Sequence, residues 1–242
     1  MKKIKYNTNT FLFIGLIGAT LSTIGDFLLS FNQYPNADNV FVALLLSCEN
    51  LSFTRLALSI FFGGICIPLQ YFGLKAITQI IKNQNQEKQN YYNIINFGSI
   101  MTGLFGGVVH ILCVLLMLII KFEYLNGFTP SSTFILGWFP NSAITFTIFA
   151  IIPFCILCML PYFLSLIFIF VSTLKGYTNF PKWFCLFNPL IIILILQTIA
   201  IIFVPNNALF NGLNMANKAI GAFLTFLTVL IWQKKNKINL EL

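Results

Sequence analysis

A chain of 242 residues that is 58% apolar and only 8% charged lacks the polar surface a water-soluble globular domain must present. Its formal charge of +8 does not point to nucleic acid, because the basic residues are dispersed at the flanks of apolar segments instead of forming one basic face. Composition therefore leaves an all-α, polytopic membrane protein whose surroundings are the lipid bilayer.

In chain order, long apolar stretches occupy residues 11–31, 51–81, 94–120, 143–174, 188–204 and 209–232. Each approaches or exceeds the roughly 20 residues a helix needs to cross hydrocarbon. They predict six spans, or seven if one further segment inserts, in a single transmembrane helical domain over residues 1–242. Lys2, Lys3 and Lys5 precede the first stretch, Lys75, Lys82 and Lys88 surround the second connection, Lys175 and Lys182 lie in the fourth, and Lys234, Lys235 and Lys237 follow the last. All of these fall on one side. Only Lys121 and Lys218 lie opposite, with Asp38, Glu49 and Glu123. The positive-inside bias thus predicts cytoplasmic N- and C-termini in the cell (inner) membrane. The first stretch follows lysines, but it is long, carries Asp26 near its end and lacks a small-x-small cleavage site, so it reads as a retained helix.

Between the spans, residues 40–48 form an apolar segment too short to cross, expected along the interface or capping the bundle. Residues 122–142, with Gly127, Pro130, Gly137 and Pro140, form the longest irregular connection and are expected to cover a cavity mouth. Pro68, Pro153 and Pro161 fall inside spans and predict kinks. Six cysteines lie mostly in apolar segments, which argues against a disulfide framework. Cys155 and Cys158 form a C-x-x-C, yet their Ile, Leu, Met and Phe neighbours make them packing residues.

Ionisable groups inside a span cost at least about 2.5 kcal/mol each at mid-helix, so they are the functional candidates. Asp26 lies about 22 Å along an outward-running first helix, and Arg55 lies near the outer start of the next, so an ion pair between them is the simplest expectation. Gly18, Ser22 and Asp26 share one stripe at four-residue spacing; Arg55, Ser59 and Gly63 share another. Gly103, Gly106, Gly107 and His110 line one face of the third span, and Asn214, Asn217, Lys218 and Gly221 one face of the sixth. Asp26, Arg55, His110, Asn214, Asn217 and Lys218 come from four spans yet fall toward one leaflet, and they are the predicted ligand-binding set. The plainer alternatives are an ion pair that only sets helix register and a satisfied core histidine.

The run Gly25-Asp26-Phe27-Leu28-Leu29, then Arg55-Leu56, Leu58-Ser59, Gly63-Gly64 and Pro68-Leu69, then Gly107 with His110, Pro181-Lys182-Trp183, Asn188-Pro189-Leu190, and Asn214 with Asn217 before Gly221, resembles a family of bacterial multi-pass membrane proteins without an established function. The resemblance implies six or seven helices and the same polar positions, and no substrate or reaction. Lys182 stands where that pattern has Arg.

The leading expectation is a protein that binds or carries a small polar or amphipathic ligand, such as a lipid headgroup. The alternatives are an intramembrane lipid-modifying enzyme with His110 as acid or base and Asp26 orienting it, and an accessory subunit that uses glycine faces to bind a membrane-protein partner or a second copy. The balance falls on binding over catalysis. One histidine precludes a three-histidine zinc site, no G-x-S-G or phosphate-loop motif occurs, and no metal or cofactor is expected.

Overall fold

The structure, a computed structural model, describes residues 7–31, 48, 50–84, 89–128, 140–203 and 208–236. Helix α1 (Thr8–Ser30) starts at Asn7, whose side chain accepts the Asn9 N–H at 2.9 Å, a ready use of asparagine as N-cap. The second apolar stretch is not one uniform helix. It runs as α2 (Phe53–Ser59), a π-helical turn (Ile60–Ile65), a 3-10 turn (Ile67–Leu69) and α3 (Gln70–Gln84). Pro68 accounts for the break: it has no N–H for the carbonyl of Gly64, and its ring crowds that carbonyl.

Helix α4 (Gln89–Leu125) has 37 residues and so measures about 55 Å, longer than the hydrocarbon it would cross. The next stretch is again composite: α5 (Asn141–Phe146), a π-helical turn (Thr147–Ile151), then α6 (Ile152–Leu174), with Pro153 in its first turn and Pro161 inside. Of the three prolines expected to kink spans, Pro68 and Pro153 stand beside these breaks, while α6 continues as α-helix through Pro161. A 3-10 turn (Lys182–Phe187) leads to Asn188, whose side chain accepts the Leu190 N–H at 3.0 Å and starts α7 (Pro189–Phe203). Helices α8 (Ala208–Met215) and α9 (Asn217–Lys235) complete the described chain.

Four helical runs are long and apolar enough to cross a membrane: Thr8–Ser30, Phe53–Lys82, Gln89–Leu125 and Asn141–Leu174. They mark the chain as a membrane protein. Phe13, Leu104, Phe149 and Leu160 stay exposed on them, as side chains facing lipid do. The remaining two stretches differ from the sequence expectation. Helix α7 has 15 residues, about 22 Å, and the sixth stretch is interrupted at Ala216. The break falls among Asn211, Asn214 and Asn217, residues that compete with backbone hydrogen bonding. The segment expected at residues 40–48 and the middle of the 122–142 connection lie largely outside the described residues.

Helix α1 packs against α3 and α9, and α4 against α6 and the broken second helix. Glycines set the separation of the first pair. A Cβ on Gly15 would stand 2.6 Å from the Gly73 Cα, and one on Gly18 would stand 2.6 Å from the Leu69 Cβ and 2.7 Å from the Cys66 carbonyl. Two apolar cores result, one holding Leu12, Leu74, Leu166 and Phe226, the other Leu29, Leu51, Leu56 and Val114.

Because backbone atoms oppose Gly18 and cannot rotate away, Gly18→Ala should destabilise the protein by about 1–3 kcal/mol. Phe13→Ala, at a lipid-facing position that is 55% exposed, should change stability by under about 0.5 kcal/mol. Thermal unfolding in one detergent checks both, and equal effects would contradict the packing described.

Candidate functional site

Between the two cores lies a cavity of about 310 Å³, the lower end of the range for small-molecule sites. Tyr162 of one core and Leu29 of the other both line it. So do Asp26 from α1, His110 from α4, Asn214 from α8, and Asn217 and Lys218 from α9. Five of the six residues singled out from the sequence therefore share one space, and Arg55 does not.

Arg55 is engaged elsewhere. Its Nε donates to the Leu28 carbonyl at 3.0 Å and its Nη2 to the Phe31 carbonyl at 3.3 Å. Those carbonyls stand at the C-terminal end of α1, where the helix dipole is negative. The ion pair expected between Asp26 and Arg55 is accordingly not formed. Asp26 instead faces the single histidine, with Oδ1 3.3 Å from His110 Nδ1 and side-chain exposures of 16% and 6%.

The other face of the imidazole fixes its hydrogen. His110 Nε2 lies 3.0 Å from Ser59 Oγ and 3.1 Å from the Ser59 carbonyl oxygen. The carbonyl only accepts, and the Ser59 hydroxyl hydrogen goes to the Gly25 carbonyl at 2.8 Å. Nε2 must therefore carry a hydrogen, an assignment that follows from the network of partners. Nδ1 then faces Asp26 Oδ1 at 3.3 Å, so the carboxyl and the imidazole form one polar pair.

The backbone makes room for this arrangement. Gly63, inside the π-helical turn, lets the imidazole lie against main chain, and any Cβ there would collide with the ring. A Cβ on Gly25 would stand 2.8 Å from the Gly63 nitrogen. Glycine on both sides is what lets Ser59 reach Gly25 and His110 at once.

Several lining residues carry little sequence signal. Thr102, Cys113 and Tyr162 sit in apolar runs, and Cys158, read as a packing residue, also borders the cavity. Gln70 also lines it while donating from Nε2 to Ser22 Oγ at 2.7 Å, and Gln197 contributes a further amide. Among the described residues no three His, Cys, Asp or Glu side chains stand together as metal ligands.

A family model described as a family of unknown function (DUF6796) matches residues 1–236. Comparison with the curated proteins and with the solved structures gives no match.

The pairing predicts an asymmetry between its two members. Asp26→Asn should cost no more than about 1 kcal/mol, because the amide N–H can donate to the Nδ1 of a neutral His110. His110→Leu strands a mostly buried carboxylate and should cost about 3–5 kcal/mol. Adding Asp26→Asn to His110→Leu should recover part of that loss, giving a coupling of roughly 1–3 kcal/mol in thermal unfolding, whereas strictly additive losses would contradict a paired unit.

Proposed function

The chain belongs to this family of unknown function, and for it we propose a six-crossing protein of the cell membrane that binds or carries a small polar or amphipathic ligand in the cavity. Both termini face the cytoplasm on the lysine distribution, which sets the cavity toward the outer leaflet. The observation that carries the reading is the convergence of Asp26, His110, Asn214, Asn217 and Lys218, from four separate helices, on one space of about 310 Å³. Residues that merely set helix register would meet in pairs without enclosing volume. Breaks beside Pro68 and Pro153, and at Ala216, give the surrounding helices places to bend.

One observation favours a second reading, a lipid-modifying enzyme: Ser59 Oγ, His110 Nε2, His110 Nδ1 and Asp26 follow one another in the atom order of a serine, histidine and aspartate triad. The polarity of the bonds weighs against it. A triad needs Nε2 to accept from the serine, and here Nε2 donates while the hydroxyl hydrogen is committed to Gly25. Ser59 is also fully buried. For an accessory subunit the available glycine face is already used within the chain: Gly103 lies against Tyr71, Gly106 against Ile67 and Gly107 against Gly64.

Cys113 and Cys158 give a direct readout of occupancy. In a variant whose other cysteines are alanine, small thiol reagents should modify these two, and a fraction of native membrane lipids or polar metabolites should slow that modification. Modification unaffected by every fraction would overturn the proposal. A serine-reactive fluorophosphonate should leave Ser59 unlabelled, and labelling there would favour the enzyme.

A further inference from the structure

Resting on the cavity reading above, we infer that the site selects a monoanion that carries a hydroxyl or N–H donor beside its charge and an apolar tail, the chemistry of an acidic glycerolipid headgroup or of a free hydroxycarboxylate.

Charge comes first. Among the described residues Asp26 is the only acidic side chain lining the cavity, and its Oδ1 is turned to His110 Nδ1 at 3.3 Å. Lys218 also lines the cavity and makes no ion pair among the described residues. Its ammonium is thus a cation of the lining left without an acidic partner among the described residues, and an anion is its natural counterpart.

The helix that carries Lys218 adds to this preference. Asn217, Lys218 and Ala219, the first three residues of the 19-residue helix α9, all line the cavity, and no side chain caps that N-terminus. Unpaired N–H groups and the positive end of the helix dipole favour an anion there. They also disfavour a lysine in the first turn, so the position gains only when negative charge joins it.

The donor requirement comes from Asn217. It is 3% exposed, it lines the cavity, and its Oδ1 is buried without a hydrogen-bond partner among the described residues. A buried acceptor left unpaired costs about 1–3 kcal/mol, which a ligand hydroxyl or N–H would recover. The apolar share of the lining, Leu29, Ile67, Val109 and Met159, suits an alkyl tail.

Four probes test the inference with the purified full chain, by calorimetry and by protection of Cys113 and Cys158: dihexanoylphosphatidylglycerol, 2-hydroxyhexanoate, dihexanoylphosphatidylcholine and hexyltrimethylammonium. We expect one or both of the first two to bind and protect, which also separates a lipid source from a free acid, and neither of the last two. Lys218→Gln should weaken the binding by about tenfold or more and Lys218→Arg should retain it. Asn217→Asp, which places a carboxylate at the same helix end, should abolish binding of the anions while the protein still folds. Binding of the zwitterion or the cation as strong as that of the anions, or unchanged affinity in Lys218→Gln, would overturn the anion inference and leave the cavity reading standing. Failure of all four probes to protect the thiols would remove both.

Discussion

A carbonyl oxygen cannot donate a hydrogen bond, and this constraint governs the centre of the bundle. Because the Ser59 carbonyl faces His110 Nε2 at 3.1 Å, that nitrogen must bear hydrogen, and the opposite nitrogen is turned to Asp26 at 3.3 Å. A carboxylate among apolar helices would otherwise carry a heavy desolvation cost, and an imidazolium likewise. Their apposition sets a polar wall beside the cavity, with Lys218 as a further charged residue of the lining.

That arrangement needs main chains closer than ordinary side chains allow. Gly25 and Gly63 meet where α1 crosses the π-helical turn, so the Ser59 hydroxyl can reach one carbonyl while the imidazole lies on the next residue step. In lipid there is little hydrophobic gain from helix contact itself, so small residues and interhelical hydrogen bonds carry the association. Ser22 with Gln70 and Ser59 with Gly25 are such bonds, one on each side of the crossing. The same crossing that holds α1 to its neighbour thus builds the site.

Much of this was legible in the sequence because the bilayer imposes strong rules. Long apolar runs gave the helices, and four-residue spacing put Ser22 and Asp26, and Ser59 and Gly63, on contacting faces. Prolines at 68 and 153 marked the breaks. What could not be read was competition for partners. Depth alone matched Asp26 to Arg55, but the carbonyls of Leu28 and Phe31 at the end of α1 claim the guanidinium first, and spacing does not reveal unsatisfied carbonyls. Gln70 stands fifteen residues beyond Arg55 in the second stretch, about 22 Å on straight-helix arithmetic, yet it lines the same cavity as Asp26. Thr102 and Tyr162, neutral residues in apolar runs, had no pattern to set them apart, and the interruption at Ala216 had no proline or glycine to announce it.

The chain contains one histidine, so nitrogen-15 labelling of histidine gives a single imidazole signal with no assignment problem. The account predicts that in the folded protein Nε2 bears hydrogen. A bare Nε2 beside a protonated Nδ1 would contradict it, because Ser59 would then have to be the donor.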